Sequence, residues 1–147
     1  MEENLLLVEK FKIQGRDFDR AGEASSQIKT ILKKLNIPPS VIRKATIAAY
    51  ETEMNIIIYA YHGVMTLKVY KNKVKVIAED KGPGIPDINL AMQEGYSTAP
   101  PEILEMGFGA GMGLANIKKN SDILEIKSNV NKGTTVTFEV SINEQHK

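Results

Sequence analysis

The chain contains no cysteine. That excludes a disulfide framework and thiol chemistry, and it is compatible with a reducing cytoplasm. Long hydrophobic runs are missing too. The longest, Ile56 to Ala60, falls far below the roughly 20 residues that a membrane-spanning helix needs. The amino terminus, Met1-Glu2-Glu3-Asn4, is acidic where a secretory signal is basic. An excess of either charge is missing: the formal net value is +1, so no global field recommends nucleic acid or an anionic membrane as partner. The small basic pair Lys118-Lys119 is explained by a solvated helix face. The expectation is a soluble, cytoplasmic protein that binds neither nucleic acid nor membrane.

What is present is an ordinary globular composition. At 147 residues, 42% hydrophobic and 25% charged, the chain fits one domain, residues 1–147, with a substantial core. Leu5 to Ile13 reads as a strand and Gly15 to Asp19 as a turn. Ala21 to Leu35 carries Ile28, Ile31, Leu32 and Leu35 at helical spacing. A second helix is expected from a Ser40 cap to about Tyr61, stopped by Gly63. Val64 to Tyr70 and Lys73 to Glu79 flank the tight turn Lys71-Asn72 and form a hairpin. A short helix over Ile88 to Glu94, an irregular stretch to Gly111 and a helix from Met112 to Asn120 follow. The strands Asp122 to Ser128 and Thr134 to Ile142 close the chain around the turn Asn131-Lys132-Gly133. This order predicts an α+β, two-layer sandwich: a mixed, mostly antiparallel sheet with helices on one face. The stretch over about 87–111 is too long for a mere connector and reads as a lid.

Four places carry chemistry. In the strand before Asp80, Val74, Val76 and Ala78 share a face, and the period of two puts Asp80 on it. A carboxylate at the end of a core-facing row is costly unless donors meet it. It either bonds the turn backbone of Lys81 to Gly84 or accepts from a ligand, and the glycines of Gly82-Pro83-Gly84-Ile85 let a flat ligand approach. For a purine, adenine offers an amine there and guanine an oxygen. A charged hydrogen bond of roughly 1.5–3 kcal/mol then favours ATP over GTP by an order of magnitude or more.

Glu51 and Asn55, four apart on the long helix, face the same way. Glu53, about 200° round from Glu51, is expected to point to solvent. The pair is either an ordinary surface Glu and Asn or a working pair. In the second case Asn55 is an oxygen ligand for magnesium and Glu51 a general base near the γ-phosphate. Gly107-Phe108-Gly109-Ala110-Gly111-Met112-Gly113-Leu114 fits neither the Walker A nor the G-x-G-x-x-G pattern. It reads as a hinge or as a glycine-rich helix start that takes phosphate on free N–H groups. From Ile88 to Ala110 there is no lysine or arginine, so backbone and metal would carry the phosphate charge. Asn131-Lys132-Gly133-Thr134-Thr135 is a hairpin turn and strand start. Thr134 shares the inward face with Val136 and Phe138, where its hydroxyl would reach a base or an ordered water.

Taken in order, Glu51-x-x-x-Asn55, Asp80-x-Gly82-x-Gly84, Gly111-x-Gly113-Leu114 and Asn131-Lys132-Gly133-Thr134 resemble the N, G1, G2 and G3 boxes of the GHKL ATPases, over about Ala45 to Val140. Glu79 to Asp87, Glu94 to Thr98 and Gly109 to Met112 are most similar to the small bacterial anti-sigma factor and switch-protein serine/threonine kinases. The resemblance implies the Bergerat fold with an ATP lid and ATP with Mg2+ as cofactors. It implies contacts to the nucleotide from Asn55, Asp80, Gly82, Gly84, Ile85, Gly109, Gly111, Met112, Gly113, Leu114 and Thr134. Asn55 would hold the metal, and Glu51 would activate a serine hydroxyl of a partner. That partner would be a STAS-domain antagonist or switch protein, with a sigma factor as a further candidate, and the kinase a homodimer through an exposed sheet edge. One departure bears on the sigma factor. Where some anti-sigma kinases carry a lid arginine, this chain has Gly109 and Ala110. The rival class is an ATP-binding anti-sigma factor or adaptor that sequesters its partner with little catalysis. A nucleotide-free interaction domain would leave Asp80 unexplained.

Overall fold

A computed structural model describes residues 4–93, 95, 97, 99, 101 and 113–142. In chain order these form β1 (Leu5–Gln14), a single 3-10 turn (Phe18–Arg20), α1 (Glu23–Lys34), α2 (Pro39–Tyr59), β2 (His62–Tyr70), β3 (Lys73–Lys81), α3 (Ile88–Ala91), α4 (Gly113–Lys119), β4 (Ile123–Asn129) and β5 (Gly133–Ser141). The strands make one sheet in the order β1-β2-β3-β5-β4. Each neighbouring pair is antiparallel, so the described sheet is not mixed. Alternation in the strands supplies the core. Val74, Val76 and Ala78 of β3 and Val136, Phe138 and Val140 of β5 are buried in one cluster with Ile28 and Leu32 of α1, Ile56 and Ile57 of α2 and Ile117 of α4. This is the expected two-layer α+β sandwich.

The helix α2 is the central support. Its buried residues run from Val41 through Ala45, Ala48 and Ala49 to Ile58 and occupy most of its circumference, the pattern of a helix covered on several sides. It starts with Pro39 in its first turn and no side-chain cap, so Ser40 is not the cap expected above. The preset φ of proline does that work. The helix ends at Tyr59, two residues before the expected end near Tyr61. Gly63 is no helix stop: it lies in β2, paired with Asp80 of β3.

The clearest departure concerns Glu53, which is 1% exposed rather than solvated. The helical geometry was right, but the face opposite Glu51 is covered by α1. Glu53 Oε2 accepts from the N–H groups of Gly22 at 3.1 Å and Ala24 at 3.2 Å, and Oε1 from Ser25 at 3.0 Å. The first turn of α1 has no cap of its own, and the carboxylate of a neighbouring helix supplies it with the sign that the helix dipole favours. Replacing Glu53 with alanine leaves these donors unpaired. Glu53→Ala is expected to destabilise the fold by about 3 kcal/mol, and Glu53→Gln by roughly half of that. Urea denaturation of both variants measures it; a loss for Glu53→Ala within the ordinary surface range contradicts the capping role.

Candidate functional site

Asp80 is the last inward residue of β3 and is half-buried. Its Oδ1 accepts the backbone N–H of Thr134 at 3.0 Å. Burial pushes its carboxyl above the usual aspartate range, while the Thr134 N–H and the nearby charge of His62 pull it back. After Asp80 the chain is fastened to the β4–β5 turn. The Gly82 N–H donates to Lys132 O at 3.2 Å, Pro83 O accepts the Asn131 N–H at 2.7 Å, and the Ile85 N–H donates to Ser128 Oγ at 2.7 Å. Gly84 has φ +79°, and a Cβ on it would lie 2.5 Å from Asn129 O. Only glycine allows this approach.

Beyond Asp80 opens a cavity of about 780 Å³, within the range of small-molecule sites. Apolar groups such as Ile58, Ala78, Ile85 and Val136 make much of its wall, and Glu51, Asn55, Asp80 and Thr134 also line it. A largely apolar cavity with the half-buried Asp80 carboxylate in its wall is compatible with a purine. Gly113 and Leu114, at the start of α4, line the cavity too. A Cβ on Gly113 would lie 3.1 Å from Asn55 Oδ1, so the glycine keeps that amide uncrowded. On the lid side the Tyr59 hydroxyl lies 3.4 Å from Ser97 Oγ.

Glu51 and Asn55 point into this cavity from α2 as their spacing required. Asn116 Nδ2 of α4 donates to Glu51 Oε2 at 2.7 Å, which fixes the carboxylate. Among the described residues, Glu51 Oε1 and the Asn55 amide make no hydrogen bond. The structure thus brings Glu51, Asn55, Asp80, Gly84, Ile85, Gly113, Leu114 and Thr134 together, with Gly82 in the adjoining loop. Gly109, Gly111 and Met112 lie outside the described residues. Sequence reasoning missed Asn116 and Ser128. Ser128 was accessible in principle, since the turn at Asn131 to Gly133 sets it opposite Thr134. Asn116 depends on how α4 packs on α2, for which the sequence carries no local signal.

Comparison with known proteins gives this arrangement a family. Residues 43–144 match the model for histidine kinase-, DNA gyrase B-, and HSP90-like ATPases. The chain is 32% identical over 112 residues to the serine/threonine-protein kinase RsbT of Bacillus subtilis, covering 74% of this chain and 78% of that protein. It is 35% identical over 94 residues to the anti-sigma F factor of Caldanaerobacter subterraneus, covering 60% of this chain and 62% of that protein. In fold it is similar to a chain in the crystal structure of the SiaB–SiaC complex from Pseudomonas aeruginosa, with a TM-score of 0.55, 14% identity and coverage of 95% and 92%. The chain belongs to the GHKL ATPases, in their small anti-sigma factor and switch-kinase branch. ATP is accordingly its nucleotide. No helix among the described residues is long and apolar enough to cross a membrane.

The burial of Asp80 has a consequence for stability. Its folded pKa is raised, so its contribution to stability is fully present below the unfolded pKa and is lost as pH rises through the folded value. Ligand-free Asp80→Asn is therefore expected to be at least as stable as wild type at pH 7, with the gain shrinking toward pH 4. Urea denaturation at the two pH values checks this. A loss that is larger at pH 7 than at pH 4 contradicts it.

Proposed function

We propose that this chain is an ATP-dependent serine/threonine protein kinase that regulates a sigma-factor or stress-response switch by phosphorylating a STAS-domain partner. The carrying observation is the state of Glu51. Its carboxylate is held by Asn116 at 2.7 Å with Oε1 unengaged among the described residues, one turn of α2 from Asn55. A protein that only binds ATP needs no fixed base at this place.

The roles follow from the chemistry of each group. Asp80 accepts the adenine amine, with Gly82, Gly84 and Ile85 shaping the slot and Thr134 beside it. Asn55 offers Oδ1 to magnesium, a hard cation that takes oxygen ligands and keeps several waters. Gly113 and Leu114, which line the cavity at the start of α4, are assigned the phosphate side, and the resemblance alone adds Gly109, Gly111 and Met112. The described lining contains the carboxylates of Glu51, Asp80 and Asp87 and no lysine or arginine. Phosphate charge must then be met by metal and backbone N–H groups, which supports magnesium. MgATP, once bound, would supply the phosphoryl group: the partner's serine or threonine oxygen bonds to the γ-phosphorus, the bridging bond to the β-phosphate breaks and ADP leaves, while Glu51 orients the hydroxyl and accepts its proton at Oε1. Such a base contributes roughly 10²–10⁴ in rate.

The edge strand β1 supports a homodimer. It lies at the end of the sheet, and its Leu6 and Val8 are 52% and 44% exposed. A second reading is an ATP-binding anti-sigma factor that sequesters a sigma factor or adaptor partner with little catalysis. It is supported by the anti-sigma F relative and by the absence of a cation from the described lining.

Incubation with labelled ATP, magnesium and candidate STAS proteins separates the two. Wild type is expected to label serine or threonine, Glu51→Gln to bind ATP but transfer roughly 10²–10⁴ more slowly, and Asn55→Ala to lose magnesium-dependent transfer. Glu51→Gln transferring at the wild-type rate contradicts the base role. ATP-dependent complex formation without transfer favours sequestration. Calorimetry with Asp80→Asn tests the adenine contact: affinity is expected to fall at least about tenfold.

A further inference from the structure

A second concavity lies outside the nucleotide cavity, where the end of α1, the α1–α2 loop and the start of α2 meet. Its volume is about 1060 Å³, and its shape comes from the local sequence. Asn36 takes a left-handed φ of +57° after α1. The N–H groups of Asn36 and Ile37 donate to Lys33 O and Leu32 O at 3.0 and 3.1 Å, and Pro38-Pro39 stiffens the way into α2. The groove is thus built before anything enters it, which spares a ligand the cost of ordering it.

Its charge is one-sided. Lys29 and Lys33, one turn apart on α1, and Arg43 of α2 line the groove, and no aspartate or glutamate does. All three are exposed, and none makes an ion pair among the described residues. In a chain of net charge +1 this is a local excess. α2 also starts here without a side-chain cap, so the positive end of its dipole adds to the cations. Between them the floor is apolar, with Ile37 and Ile42. Thr46 lines the groove too, and its Oγ1 is buried with no hydrogen-bond partner among the described residues. Native folds rarely leave such an atom unmet, and a segment seated in the groove can meet it.

The groove is connected to the nucleotide cavity. Ile47, 39% exposed, lines the groove, and Tyr50, 37% exposed, lines the cavity. Arg43, Ile47, Tyr50 and Glu51 lie on one side of α2. At a rise of about 1.5 Å per residue, Glu51 stands roughly 12 Å along the axis from Arg43 and roughly 6 Å from Ile47. An exposed apolar strip therefore leads from the cations to the candidate base.

We propose that this groove docks an acidic segment with an apolar face, belonging to the phosphoacceptor protein, and so delivers its serine or threonine to Glu51. The proposal rests on the kinase reading given above. Carboxylates of the segment meet Lys29, Lys33 and Arg43, and its apolar side chains lie on Ile47 and Tyr50. A flat lipid surface cannot follow a concave floor, and a nucleic acid has no aliphatic side chains to cover one. A protein segment offers both the charge and the shape.

The test uses the full chain and the STAS protein that wild type labels in the transfer assay, with KM measured for that acceptor and for ATP. Lys33→Glu combined with Arg43→Glu is expected to raise the acceptor KM about tenfold or more, and Ile47→Ser about fivefold. KM for ATP and the limiting rate are expected to stay within about twofold, since neither variant touches the nucleotide cavity's working groups. Added salt is expected to raise the acceptor KM more steeply for wild type than for the charge variant. An unchanged acceptor KM in the charge variant, or an equal rise for ATP, overturns the proposal. Should that variant fail to fold in a thermal melt, Lys33→Gln with Arg43→Gln takes its place and must raise the acceptor KM about threefold; no rise there overturns the proposal as well. An unaltered acceptor KM together with lost binding to phosphatidylserine vesicles, or with a changed mass in sedimentation, assigns the groove to a membrane or to a second copy and overturns it too. If wild type labels no STAS protein, the kinase reading fails and this proposal with it. Transfer that ignores the groove variants sinks the proposal alone.

Discussion

The bond from the Thr134 N–H to Asp80 Oδ1 is the constraint on which the site depends. The backbone ladder between β3 and β5 ends at Glu79 opposite Thr135. One step further a side chain takes over from the backbone, and it keeps the two strands together where they border the cavity. Without such a donor, a carboxylate at the end of a core-facing row would face full desolvation. With it, burial still holds the carboxyl above its ordinary range. The residue is thus better matched to a ligand donor than to the empty fold. That is the expected condition of a binding group: it costs stability where it confers recognition.

The same logic separates two glutamates on α2. Glu51 and Glu53 are chemically identical and two positions apart, yet the packing gives them opposite tasks. Glu53 is consumed entirely by the start of α1, each of its oxygens accepting backbone N–H groups. Glu51 has one oxygen tied to Asn116 and one that makes no hydrogen bond among the described residues. The first ties α1 to α2, and α2 in turn carries Glu51 and Asn55. The candidate base therefore stands on a helix whose own placement is fixed by a charged cap, which is how a rigid element can hold a side chain to the tolerance that catalysis requires.

How much of this was legible beforehand depends on the range of the interaction. Periodicity of two along Val74, Val76, Ala78 and Asp80, and of 3.6 along Glu51 and Asn55, is local, and it placed those residues correctly. The hairpins followed from turn chemistry. Glu53 was misplaced because a helical wheel knows directions but not what lies in them; the covering helix α1 is a tertiary fact. Gly63 was misread for a similar reason. A glycine after a helix is ordinarily a stop, but here the chain needs close approach, since a Cβ at Gly63 would meet Glu79 O and Asp80 Cβ at 3.0 and 3.1 Å. Asn116 and Ser128 escaped notice because each acts through another residue, and no spacing rule marks a polar side chain whose partner lies on a different element.

What remains is the electrostatic character of the cavity. Its described lining is acidic and carries no fixed cation, so a triphosphate is unwelcome there on charge alone. Among the described residues there is also no cluster of three or more acidic or histidine side chains able to hold a metal by itself. Nucleotide and divalent ion are then expected to enter as one species, with Asn55 as the contact on the protein side, because each lowers the charge cost of the other. On the proposed reading, such a site would favour adenine at Asp80 and would tolerate phosphate only when it is neutralised. Occupancy would therefore follow the magnesium complex rather than free ATP, and so would any partner that recognises the occupied state.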